Sequence, residues 1–190
     1  KTRILRVEKG GKWNVFVPAE AFPAKPVFLN DLEADSAGNI YVSDSGNIKE
    51  NTREGAIYRI GKDSKPVVVI NATGNIRLVA PNGLLMDGND SVMEVDFLSG
   101  RLYRIVLNNG VMNVLAEGFG GGDGLVRGRN GLLYLSDWAN GRIFSLSKGG
   151  EVKLISADFK APADMTLAPG GKHLLVPDMK AGELVWLPIP

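Results

Sequence analysis

Three side chains carry amide or carboxylate oxygens at matching places in the sequence: Asn30 in LND, Asn82 in PNG and Asp123 in GDG. They lie 52 and 41 residues apart. Such oxygens are what a hard cation takes as ligands; Ca²⁺ gathers about six to eight of them at roughly 2.3–2.6 Å. Two amides and one carboxylate bring little charge, so waters or another acid would have to complete the shell. A carboxylate so placed can also orient or deprotonate a water. Asn, Asp and Gly are equally the residues that a strand entry favours, so spacing alone leaves both readings open. The question is whether the chain brings the three together.

A repeat in the sequence says how it would. Four segments align: LNDLEADSAGNIYVSD, PNGLLMDGNDSVMEVD, GDGLVRGRNGLLYLSD and PADMTLAPGGKHLLVPD. They close on Asp44, Asp96, Asp137 and Asp178, spaced by 52, 41 and 41 residues. Each Asp precedes a short turn and a third apolar run: GAIYRI, GRLYRI, GRIFSL and GELVWL. A fourth run follows in three units, at Pro66–Ile70, Val111–Ala116 and Val152–Ser156. The second runs, Ile40–Val42, Val92–Val95, Leu132–Leu135 and Leu174–Val176, are short and nearly all apolar, which suits strands covered on both faces. Four strands per unit of about 40 residues is the pattern of a β-propeller blade.

The expected class is therefore all-β, a propeller of four-stranded blades. The opening stretch to Val17 holds two runs, TRILRV and KWNVFV, which match only the outer strands of a blade. The last unit has three strands. We expect one domain over residues 1–190: about four and a half blades of a five- or six-bladed ring, six for the full ring, with the opening blades upstream.

Antiparallel order within a blade puts the entry to strand one and the exit of strand two on the same face. Strand one lines the central channel. Asn30, Asn82 and Asp123 should then converge on one mouth of that channel. The four closing Asp residues should lie further from the axis and cap their turns. The insertion Ser45–Glu54 and the Pro-rich loop Pro18–Phe28 are expected on this face too, where loops on a rigid scaffold commonly carry function.

Composition narrows the field. Glycine, at 24 residues, is well above the ordinary ~7% and is spread between the apolar runs, as many turns require. Basic and acidic residues nearly cancel, 22 against 21, so no basic field invites nucleic acid. Cysteine is absent, which removes disulfides and thiolate ligands and leaves the compartment open. No apolar run is long enough to span a membrane, and no leader pattern is visible. The single histidine, His173, stands beside Leu174 in a strand, so no Ser-His-Asp triad can be assembled. Trp13, Trp138 and Trp186 are expected as packing or rim residues, and Arg101, Arg104 and Arg142 as solvated ones.

At these residues the chain resembles the senescence-marker-protein/gluconolactonase family, to which regucalcin belongs. The likeness lies in LNDL with AGNIYVSD, APNGL with VMEVD, and GGDGL with NGLLYLSDWANGRI. It implies a six-bladed propeller with one divalent cation in its channel, Ca²⁺ first and Zn²⁺ or Mg²⁺ as alternatives. It implies metal ligation by Asn82, Asp123 and Asn30, substrate contact by Asn30 and Phe28, and a catalytic role for Asp123. The implied reaction is hydrolysis of a small lactone or ester. Two departures stand out. The family's Glu ligand in an E-G-P phrase is absent from this sequence, and Phe28 stands where some sugar-lactone members have Arg. A non-catalytic propeller binding a protein or small molecule on its channel face is the alternative. A metal-free lyase or synthase is a third reading.

Overall fold

A computed structural model describes residues 2–50 and 54–190. Strands β1 (Ile4–Val7) and β2 (Trp13–Val17) form a two-stranded sheet. Three four-stranded sheets follow. The first holds β3 (Leu29–Ala34), β4 (Ile40–Asp44), β5 (Ala56–Ile60) and β6 (Pro66–Asn71). The second holds β7 (Pro81–Met86), β8 (Ser91–Asp96), β9 (Arg101–Val106) and β10 (Met112–Glu117). The third holds β11 (Gly122–Arg127), β12 (Leu133–Asp137), β13 (Arg142–Leu146) and β14 (Val152–Ser156). A last sheet has β15 (Thr166–Leu167), β16 (His173–Asp178) and β17 (Glu183–Pro188). Strands pair with their sequence neighbours throughout, all antiparallel. These are four blades of a propeller, as the repeat predicts, preceded by the two-stranded sheet. Among the described residues no helix is long and apolar enough to cross a membrane.

The core is a stack of inter-blade layers. Tyr41, Ile57 and Ile70 of the first blade pack on Leu84, Val92 and Tyr103 of the second. Met93, Val95 and Leu102 of the second meet Leu125, Leu133 and Leu135 of the third. Tyr134 and Ile143 of the third meet Leu174 and Val176 of the fourth. The second strand of each of the first three blades is covered on both faces, which is why its sequence is apolar without alternation; β16 in the last blade buries alternate residues fully. These strands run one or two residues past the apolar run to include the closing Asp.

Those Asp residues do more than cap turns. Asp96 accepts the N–H groups of Leu98 and Ser99 with one oxygen. Its other oxygen takes the N–H groups of Val79 and Ala80, in the loop arriving from the previous blade. Asp44 does the same for Val27 and Phe28, and Asp178 for Lys160 and Ala161. Each Asp thus pins the entry of strand one. Asp137 is the exception. Its incoming loop offers no such donor, and Arg142 lies 2.6 Å from a carboxylate that is fully buried. Arg142 was expected as a solvated residue; it is instead the charge partner of a buried acid. Arg104 likewise reaches Asp87 at 2.8 Å. His173, half-buried, sits edge-on to Trp186 at the outer side of the last blade.

Candidate functional site

The inner strands β3, β7, β11 and β15 stand side by side around the channel. In three of them the pairing register slips at the same place: between Leu29 and Leu32, between Pro81 and Leu84, and between Gly122 and Leu125. The slip is a β-bulge. Its extra residues are Asn30-Asp31, Asn82-Gly83 and Asp123-Gly124. A bulge bends the strand and re-aims a side chain. Here it turns the first residue of each pair toward the channel mouth.

The second residue of each pair is set by crowding. A Cβ on Gly83 would run into the carbonyl oxygen of Asp123, and one on Gly124 would land 2.6 Å from the Cα of Asp164. The inner strand of the next blade passes directly over both glycines. The glycine after Asn82 and after Asp123 is thus demanded by packing. The leftover N–H groups of the bulge are met from behind. Ser43 Oγ accepts from the Asp31 N–H at 3.0 Å, and Ser136 Oγ from the Gly124 N–H at 2.8 Å.

Asn30, Asn82, Asp123 and Phe28 line one cavity of about 720 Å³. This size lies within the range of small-ligand sites. Asn30 donates its side-chain N–H to Ser45 Oγ, and Ser45 donates onward to the Pro81 carbonyl. Among the described residues no donor reaches the Asn30 side-chain oxygen. Asn82 is only 3% exposed, yet its side chain makes no hydrogen bond among the described residues. Its amide opens on the cavity. Among the described residues no group of three or more His, Cys, Asp or Glu side chains could hold a metal ion. The donor set at the mouth is instead two amides and one carboxylate. All-oxygen donors of this kind suit Ca²⁺ or Mg²⁺ better than Zn²⁺, which favours nitrogen and sulfur.

Acids missed in the sequence lie one step deeper. Asp31 and Asp164 occupy the strand positions that Gly83 and Gly124 hold in the other blades. Asp31 reaches across to the next inner strand and accepts the Leu84 N–H at 2.6 Å. Burial, with Asp164 opposite as a like charge, pushes the Asp31 carboxyl up to about 7. The same two causes push Asp123 up to about 7. Asp164 reaches solvent in the channel, but the protein crowded around it still raises its pKa. Glu33, deeper again, is raised by burial, with the Met86 N–H opposing. The signal for Asp31 was in the sequence as the third letter of LND. Asp164 is likewise the third letter of PADM: Pro162 pairs with Asp178 as Pro81 does with Asp96, which puts Ala163 in register with Asn82 and Asp164 in register with Gly83.

The rim above this polar floor is apolar. Phe97, Trp138 and Met179 line the cavity, each being the residue that follows a closing Asp. The insertion contributes Gly46, Asn47, Ile48 and Lys49; its residues 51–53 lie outside the described part of the chain.

The fold is shared widely. Virginiamycin B lyase from Staphylococcus aureus superposes with a TM-score of 0.66 at 16% identity, over 100% of this chain and 64% of that one. A luciferin-regenerating enzyme does so with 0.74 at 19% identity, over 92% and 63%. Regucalcin from Agrobacterium tumefaciens, a calcium-binding protein, does so with 0.64 at 24%, over 78% and 52%. The chain thus spans less than two thirds of each, and at these identities the likeness is one of fold. No curated protein sequence matches the chain. The profile of the SMP-30/Gluconolactonase/LRE-like region matches residues 1–177, and with the bulge-borne Asn30, Asn82 and Asp123 at one channel mouth, the chain belongs to that family.

Proposed function

We propose that this propeller is a cation-dependent hydrolase of a small lactone or ester. The observation that carries the reading is the meeting of Asn30, Asn82 and Asp123, each with a side-chain oxygen, in one cavity. Asn82 and Asp123 would hold a divalent cation, Ca²⁺ foremost, with Asn30 completing the set or facing the substrate. When bound, the cation supplies a Lewis acid for the carbonyl and a counter-charge for the oxyanion. Asp123, beside the cation, would orient the attacking water and accept its proton. Ser45 holds the Asn30 amide in one orientation. Phe28 lies on the substrate side of the mouth.

Residues 1–190 would be one propeller domain within a larger, six-bladed ring. In support, β17 is a sheet edge with Leu184 and Trp186 exposed beside it, and the β1–β2 sheet exposes Leu5, Val7 and Trp13. These are faces that neighbouring strands cover elsewhere in the molecule.

The test is Ca²⁺ titration by calorimetry on the intact protein, with Asp123→Ala beside it. Wild type should bind one cation, and the variant at least about tenfold more weakly. Lactone hydrolysis should disappear in the variant. Equal binding by both would remove the site. A second reading, a non-catalytic propeller that binds a protein or small molecule at this mouth, draws on the absence of an E-G-P phrase from these residues. Cation binding without turnover of any lactone or ester would favour it.

A further inference from the structure

The residue after each closing Asp holds a fixed place in every blade. Its N–H bonds back to the loop before strand one: Ser45 to Phe28, Phe97 to Ala80, Trp138 to Gly121, and Met179 to Ala161. These bonds make Ser45, Phe97, Trp138 and Met179 equivalent around the mouth. They make Phe28, Ala80, Gly121 and Ala161 equivalent as well. Three blades pair one large apolar residue with a small one. The first blade inverts the pair: Ser45 is small because it serves Asn30, and Phe28 supplies the bulk. Every blade therefore contributes one large apolar side chain to the same cavity.

The collar is built, not merely exposed. The Phe97 and Trp138 rings lie 6.1 Å apart and tilted. Lys180 Nζ stands 4.3 Å from the Trp138 ring centre, a cation–π contact that restrains the indole. Phe28, Phe97 and Trp138 are half-buried around a recess. A flat protein partner would meet an exposed patch, whereas a recess with a polar floor and an apolar wall fits a small molecule with one polar end.

The geometry points to a substrate with a flat aromatic or similarly apolar body, its carbonyl end directed down to Asn82 and Asp123. A lactone or ester fused to or bearing a ring fits this site. A polyhydroxylated sugar lactone fits less well: the four collar side chains offer its hydroxyls no partners, which leaves them to Asn47 and Lys49 of the insertion. This inference rests on the hydrolase reading for turnover but not for binding.

Two probes separate the two. Dihydrocoumarin is a ring-fused lactone; 2-tetralone is its carbocyclic counterpart and cannot be hydrolysed. With the intact protein and Ca²⁺, kcat/KM for dihydrocoumarin should exceed that for glucono-1,5-lactone by about tenfold or more. Trp138→Ser and Phe28→Ser should each lower the ratio of kcat/KM for dihydrocoumarin to that for γ-butyrolactone by about tenfold, mainly through KM. A general loss of fold would leave that ratio unmoved. Calorimetry should show 2-tetralone binding, weakened about tenfold in both variants, whether or not any lactone is turned over. Binding without turnover would keep the collar and refute the hydrolase. Absence of 2-tetralone binding by wild type, or a ratio unchanged in both variants, would overturn the collar.

Discussion

Asn30 is tied to Ser45: its side-chain N–H donates to the serine hydroxyl oxygen over 3.0 Å, and that hydroxyl donates to the Pro81 carbonyl of the next blade. A single serine thus fixes both the orientation of a site amide and a contact between blades. Outer-shell partners of this type commonly hold about 10–100-fold in metal affinity. Ser45→Ala should weaken Ca²⁺ binding by about tenfold and lower stability by about 1 kcal/mol. Calorimetry and urea unfolding check the two effects. An unchanged affinity would show that the relay does not position Asn30.

The raised pKa of Asp123 sets a pH dependence. Below about 4 the group is protonated in both folded and unfolded chains and contributes nothing. Between that and about 7 the unfolded chain has lost its proton while the folded one keeps it. The unfolded state then binds fewer protons, so stability falls as pH rises through this window. Asp123→Asn should therefore stabilise the cation-free protein at pH 8 by about 1–2 kcal/mol more than at pH 4, some of the full shift being screened by solvent in the channel. Thermal melts at the two pH values are the check.

The same protonation opposes cation binding. Ligands must be deprotonated to bind, so affinity for Ca²⁺ should rise from pH 6 to pH 8 and each binding event should release protons. Titration in buffers of different ionisation enthalpy reads that release directly. Affinity flat across this range would mean that Asp123 is not a ligand.

Glu94 is a buried acid with no partner. Neither carboxylate oxygen has a hydrogen bond among the described residues. The side chain stands where the other blades place Val42, Leu135 and Val176. Burial first, then the neighbouring Asp96, drives its pKa well up; the Asn82 N–H opposes this without making a hydrogen bond of ordinary geometry. An isolated buried acid is a net cost, so Glu94→Leu should stabilise the fold by about 1–3 kcal/mol, and more at higher pH. Loss of stability on this change would show that the carboxyl is satisfied after all.

Gly83→Ala should be far more damaging than its size suggests. The new methyl would meet the Asp123 carbonyl, which is backbone and has little room to move. Overpacking of this order costs about 1–3 kcal/mol. The displaced strand carries Asp123, so Ca²⁺ binding should fall with stability. Denaturant midpoints and calorimetry together report both.

The blades were legible because propeller strands repeat their chemistry. Apolar second strands, Gly-terminated turns and closing Asp residues recur at the same spacing, and local turn preference needs no tertiary context. The convergence of Asn30, Asn82 and Asp123 followed from strand order alone. The stacking of Asp31 and Asp164 behind them did not, because it is set by the packing of one inner strand on the next and not by residue type. Asp164, the third letter of PADM as Asp31 is of LND, therefore meets its neighbours only in the folded chain.

What the sequence by itself determined is therefore the repeat, the strand order within each blade, and which end of the channel the three polar residues occupy. Only the tertiary structure decided which neighbours each residue meets across blades. The acids stacked beneath the three side chains and the apolar collar join residues distant along the chain. The physical reason is the same in each case: packing of one blade on the next fixes these contacts, and no local signal along the chain encodes who the next neighbour is.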